Sequence, residues 1–222
     1  PIKSSAASDV YKRQAFIYMA NQIEICNAAL SQLGADSNIT SIDPPDGTQY
    51  SEQCAAYYPM ALRYLLEQFN WSFAQSRYKP PQYVELDRTL YPWRYGYSLP
   101  SDCMCVVGLY CTGGQPWQTT LPYEIEYRES ENTMFLLTDV KDAVIVYTRY
   151  LNNPQMFPGY FTEALVMRLA AYLAGALVKN QSADKYLKYA EDALSKAKTR
   201  DAKKSAHQHP KYLAAQLRAR FV

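Results

Sequence analysis

The sequence predicts a mainly helical α+β fold: a four-helix bundle with a small antiparallel β-sheet domain inserted between its second and third helices, and an extended C-terminal arm. Three observations predict it. Apolar residues recur at helical spacing in four segments, two before and two after the middle of the chain. Between Arg77 and Tyr150 the period shortens to two, with turn residues between short runs. After His209 the chain becomes short, basic and only faintly amphipathic, as an arm would be. The divisions are 1–18, a non-native or disordered leader; 19–76 and 151–203, the two halves of the helical domain; 77–150, the inserted sheet; and 204–222, the arm.

The first helix opens on Asn21 and Glu24, a capping-box pair in which each side chain satisfies a free backbone N–H. Ile23, Cys26, Ala29, Leu30 and Leu33 follow at helical spacing, and Gly34 suits a left-handed C-terminal position. Asp43-Pro44-Pro45-Asp46-Gly47 reads as a turn. The second helix runs from Thr48 or Ser51 to Gln68 on a stripe of Cys54, Tyr57, Tyr58, Ala61, Leu62, Leu65, Leu66 and Phe69. Pro59 sits inside it and removes a backbone donor, so a bent helix or two shorter ones would fit. The bend is favoured because the stripe stays in phase.

In the middle, Tyr95, Tyr97 and Leu99 alternate with Gly96 and Ser98, as in a half-buried strand. Val106 to Tyr110, Tyr123 to Tyr127, Thr133 to Leu137 and Ala143 to Tyr150 are further strands, with Gly113-Gly114 as a turn. The third helix repeats Phe161, Leu165, Leu169, Leu173 and Leu177, with Pro158 at its start. Its Ala170, Ala171, Ala174, Gly175 and Ala176 would let another helix approach closely. The fourth begins at Ser182 as cap and carries Tyr186, Leu187, Ala190, Ala193, Leu194 and Ala197 before fraying ahead of His207.

Pro1 to Tyr18 lacks a clear period and has no ordered basic, apolar and cleavage-site regions, so it does not read as a signal peptide. Its Ser4 to Gln14 portion resembles translated sequencing adapter, and Met19 is the expected start. The longest apolar stretch, Phe161 to Val178, is interrupted by Thr162, Glu163 and Arg168. It falls short of the roughly 18 uninterrupted apolar residues of a membrane span.

The chemistry of sites is sparse. The two histidines, His207 and His209, both lie beside Pro210 in a polar segment, where nothing would hold an imidazole against a nucleophile. The five cysteines (26, 54, 103, 105 and 111) are odd in number and lack CxxC spacing, which argues against a zinc site or a disulfide framework. They read as small buried hydrophobes in a reducing compartment. Glu124 and Glu126 alternate with Tyr123, Ile125 and Tyr127 and read as a strand's solvent face rather than a glycosidase pair. No catalytic residue, cofactor or metal is expected. Charge is uneven: the formal net charge is +2, yet from Lys185 onward bases outnumber acids by about seven, leaving the body acidic. The 21 tyrosines suit surfaces that bury area while keeping a polar handle.

The ordered motifs resemble a known family. Glu24-Ile25-Cys26-Asn27-Ala28-Ala29-Leu30-Ser31-Gln32-Leu33-Gly34 follows the pattern EI-x-N-x-AL-x-x-LG. Tyr58, Leu65-Leu66 and Trp71-Ser72-Phe73-Ala74 match a second helix with a W-x-F-A exit. Leu99-Pro100-Ser101-Asp102-Cys103 gives LP-x-D-C between an aromatic strand and a valine-rich one. Tyr147, Tyr150, Asn153-Pro154 and Phe157-Pro158 then lead into Phe161-Thr162-Glu163-Ala164-Leu165-Val166-Met167-Arg168-Leu169-Ala170. The set, spanning most of Met19 to Ala202, resembles the tail tubular protein A or head-to-tail adaptor (connector) family of short-tailed phages.

The resemblance implies a structural, non-enzymatic subunit of the virion neck, assembled in the host cytoplasm. It would form a homo-oligomeric ring, of twelve copies, between the portal protein and a tail nozzle protein resembling tail tubular protein B. Double-stranded DNA would pass non-specifically through its channel. On that reading Lys203, Lys204, Lys211, Tyr212, Arg218 and Arg220 would dock on the portal, and Tyr91, Trp93, Tyr95 and Tyr110 would face a neighbouring subunit or the tail. A virion-associated hydrolase or DNA-binding protein on the same scaffold is the alternative.

Overall fold

The computed structural model describes residues 21–35, 38–111, 120–129, 131–177 and 183–206. Two helices, α1 (Gln22–Gln32) and α2 (Gln49–Glu67), precede seven strands, and two more, α3 (Gly159–Leu177) and α4 (Ala183–Ala206), follow them. The strands are β1 (Gln75–Tyr78), β2 (Val84–Glu85), β3 (Tyr95–Ser98), β4 (Cys103–Cys111), β5 (Glu124–Arg128), β6 (Thr133–Thr138) and β7 (Ala143–Arg149). The leader, Gly113-Gly114, Ser182, the two histidines and the arm from Lys211 lie outside the described residues.

Local chemistry accounts for the helix ends. Asn21 Oδ1 accepts from the Glu24 N–H at 2.7 Å, and Glu24 Oε2 accepts from the Asn21 N–H at 3.1 Å, completing the capping box. Gly34, at φ 75°, takes the left-handed position that ends α1. Asn27 then holds the following loop: its Nδ2 donates to the Ile39 carbonyl at 3.0 Å and its Oδ1 accepts from the Ile39 N–H at 2.8 Å. Thr48 caps α2, which runs unbroken through Pro59.

The helices pack around α3. Its Phe161, Leu165, Leu169, Ala170 and Leu173 are fully buried, and α1, α2 and α4 each pack on it while α1 and α2 barely touch. A helix apolar on nearly all sides must be covered on nearly all sides. Trp71 and Phe73, just after α2, close the core edge-on against Phe161, with ring centroids 5.1 and 4.8 Å apart. The Trp71 Nε1–H donates to the Leu65 carbonyl at 2.6 Å, so this large ring is buried with its one donor satisfied. In contrast, α4 offers only a narrow stripe of Ala190, Leu194, Ala197 and Asp201.

The strands form two antiparallel sheets, one ordered β1-β7-β4 and the other β2-β3-β6-β5. They face each other over Tyr97, Leu99, Val106, Leu109, Leu136 and Ile145. The far side of the four-stranded sheet carries Leu86, Phe135 and Leu137, with Tyr91 and Trp93 packed over them. Gly96 permits this closeness, because a Cβ there would lie 3.3 Å from Phe135 and 3.4 Å from Leu86.

The expected four-helix bundle with one small inserted sheet is therefore corrected to a mixed fold of four helices and two antiparallel sheets among the described residues. Two strands account for much of the difference. Gln75-Ser-Arg-Tyr78 is polar and pairs along one edge of β7, and Val84-Glu85 is only two residues long. Neither carries an alternation that could be read before its partner strand was known.

Candidate interaction surfaces

The predicted portal-docking residues that fall within the described chain, Lys203 and Lys204, are exposed in the last turn of α4. Lysines suit that position because the helix C-terminus carries partial negative charge. Lys211, Tyr212, Arg218 and Arg220 lie outside the described residues.

What orients the end of α4 is Asp201, a fully buried carboxylate in the middle of a lysine-rich run. It accepts from the Ser72 N–H at 2.9 Å, the Ser72 hydroxyl at 2.8 Å and the Tyr160 hydroxyl at 2.6 Å. Burial, then the neighbouring carboxylate, pushes the Tyr160 phenol well above its usual range, so it remains a donor. The helix is thus fastened to α3 and to the turn after α2. Because this acid faces inward, the charged side chains left outward from Lys196 to Lys204 are all basic: Lys196, Lys198, Arg200, Lys203 and Lys204. Its signal in the sequence was the spacing 190, 194, 197, 201, which continues the apolar stripe onto an acid.

The four aromatic residues predicted as one interface are not brought together. Tyr91 and Trp93 cover the outer side of the four-stranded sheet, and the Trp93 Nε1–H donates to Glu124 Oε2 at 2.8 Å. Tyr95 lies on the opposite side of that sheet, edge-on to Tyr83 at 5.1 Å. Tyr110 belongs to β4 in the other sheet, opposite Val144. All four are half-buried.

The sequence reading of β5 holds in part: Glu124 is exposed, as a solvent-facing residue would be, while Glu126 is half-buried. Glu124 and Glu126 share the side of Leu137 and Phe135, where Trp93 and Arg128 meet them; the Arg128 guanidinium sits 4.9 Å from the Phe135 ring. The apolar side of β5 opens to solvent as well, with Ile125 41% and Tyr127 53% exposed beside Met134 at 43%. The alternation is there, but β5 is the last strand of its sheet, and both of its sides are partly open.

A depression of about 370 Å³ lies where α2 meets β4, lined by Arg63, Glu67, Ser101, Asp102, Cys103, Met104 and Tyr150. Asp102 there accepts from the Tyr147 hydroxyl at 3.1 Å and pairs with Arg149 at 3.8 Å. Burial pushes the Cys103 thiol up to about 11, which keeps it protonated at neutral pH and a poor nucleophile. Cys26 and Cys54 are buried side by side, and the Cys54 sulfur together with burial holds the Cys26 thiol protonated. The reading of buried cysteines fits these two, whereas Cys105 and Cys111 are exposed.

Arg168 is the other feature not anticipated. It is only 4% exposed, stacked with its guanidinium carbon 4.0 Å from the Tyr64 ring centre, and its Nε and Nη2 have no hydrogen-bond partner. The ring face offsets part of the cost of burying this cation. Among the described residues no group of His, Cys, Asp and Glu is placed to hold a metal, and no helix is long and apolar enough to cross a membrane. No protein-family model matches the chain, and no curated protein matches it in sequence.

Proposed function

We propose that this chain is a structural connector subunit of a short-tailed phage neck. Copies assemble into a closed ring that joins the portal to the tail nozzle, continues the DNA channel and performs no catalysis. Twelve is the copy number that the resemblance carries. Support comes first from the ordered motifs between Glu24 and Ala170, several of which have specific tasks: Asn27 pins a loop, Trp71 closes the core and Asp102 ties β7 to the start of β4.

The observation that carries the docking part of the reading is the basic end of α4, held in place by the inward-facing Asp201 on an otherwise acidic chain. Lys196 pairs with Asp192 and Arg200 with Glu163, so the exposed Lys203 and Lys204 lead this surface. Cations on a firmly held helix suit a complementary acidic surface better than mobile ones, because less backbone freedom is lost on binding. The portal is that surface in this proposal.

The test is electron microscopy of the purified chain with and without the cognate portal. Ring-shaped density below the portal is expected, and the double variant K203E/K204E is expected to lose portal binding with an unchanged far-UV spectrum. Monomers that never join the portal would overturn the reading. The same cations favour a second one, non-specific DNA binding. That would show as duplex affinity falling steeply with salt, independent of sequence, in the absence of any portal.

A further inference from the structure

We propose that neighbouring copies in the ring are joined strand to strand, with β5 of one copy pairing with β2 of the next, so that the four-stranded sheet continues from subunit to subunit. The inference rests on the ring reading above and specifies its joint.

The topology makes this joint geometrically natural. In the order β2-β3-β6-β5 every neighbouring pair is antiparallel, so β5 runs opposite to β2. Repeating the subunit sideways therefore places an incoming β2 antiparallel to β5, and the alternation of direction is never broken. Each copy uses two different edges, which is the head-to-tail contact that a cyclic ring requires. Among the described residues both edges lack a partner strand, and unpaired N–H and C=O groups along a strand are a template for another strand.

The side chains support the same pairing. Tyr83, next to β2, packs on Tyr95 and Tyr97, and this side of the sheet continues through Leu136 to Ile125 on β5. Tyr83 is 38% exposed at one end of that side, while Ile125 and Tyr127 are 41% and 53% exposed at the other. Joining β5 to β2 would bring these ends together and bury both. Charge favours it over a two-fold joint of β5 with itself centred on Ile125 or Glu126. The β5 glutamates lie on the Leu137 and Phe135 side, whereas Glu85 of β2 lies on the Tyr95 side, so β5 against β2 sets no acid directly opposite an acid. A β5–β5 pair centred on Glu126 would set Glu126 against itself, a destabilising arrangement.

The joint is small, far below the roughly 1,000 Å² of a stable dimer. It forms when docking on the portal raises the local concentration of neighbours. Cysteine cross-linking tests it, with Cys105→Ser and Cys111→Ser as background. The pair Y83C/Y127C is expected to give a ladder of disulfide-linked oligomers when oxidised on the portal, and each single variant to give none. A second variant, Ile125→Lys, is expected to cut ring formation several-fold with an unchanged thermal melt. Dimers from Y127C alone would replace this joint with the two-fold one. Rings on the portal without cross-links, and insensitive to Ile125→Lys, would overturn the joint and leave the ring intact. Absence of any ring from the unmodified chain would overturn both.

Discussion

Asp201→Ala removes an acceptor that three donors share, at 2.9, 2.8 and 2.6 Å. A hydrogen bond to a charged group contributes about 1.5–3 kcal/mol, so simple addition would give a loss above ~4.5 kcal/mol. Ser72 and Tyr160 are only half-buried, however, so once Asp201 is gone their donors can reach water. The expected loss is therefore about 3–4 kcal/mol, which for a chain of this size lowers the melting temperature by roughly 6–16 °C. Urea unfolding followed by circular dichroism measures the first quantity and a thermal melt the second. Asp201→Asn keeps one carbonyl acceptor and is expected to lose about half as much. A double-mutant cycle of Ser72→Ala with Asp201→Ala is expected to give a coupling of about 1 kcal/mol or more, since the two share a hydrogen bond. A loss below ~1 kcal/mol for Asp201→Ala would refute the claim that this carboxylate fastens α4.

Arg168→Met should raise stability by about 1–2 kcal/mol, because it replaces a buried cation with two unpartnered nitrogens by an apolar chain of similar length; chemical denaturation that shows a loss of more than ~1 kcal/mol would mean the guanidinium has a partner. Tyr58 and Tyr160 both have phenols raised by burial above the ordinary value of 10.0. Their contribution is thus fully present below pH 10.0 and is lost as pH rises from there towards the higher folded-state values. Urea midpoints should be nearly level from about pH 8 to 9 and fall by about pH 11, and Tyr58→Phe should make the fall shallower. Asn27→Ala breaks both bonds to Ile39 and should cost about 1–3 kcal/mol, with hydrogen exchange accelerating first around Ile39.

Much of the helical part was legible residue by residue. The capping box at Asn21 and Glu24, the Thr48 start of α2 and the four-residue repeat of α3 are local signals, set by hydrogen bonds and side chains within one or two turns. The arrangement of those helices was not legible. That α3 is a hub, with α1 and α2 hardly touching, depends on which stripe meets which, and a stripe does not name its partner. The strands divide in the same way. β3 and β5 announce themselves by alternation and β6 and β7 by short apolar runs, while β1 and β2 exist because β7 and β3 offer them an edge.

The candidate surfaces show this division most sharply. Sequence by itself determined that a lysine-rich helix ends the described chain, that β5 alternates acidic and apolar residues, and that tyrosine is abundant. Only tertiary structure decided which face of each is free. Asp201 turns inward because Ser72 and Tyr160 wait there with three donors, 129 and 41 residues away in the chain. Ile125 and Tyr127 stay exposed on β5, an edge strand of its sheet, although periodicity marks their side as core. Periodicity records which residues share a face; burial depends on what the rest of the chain brings to that face.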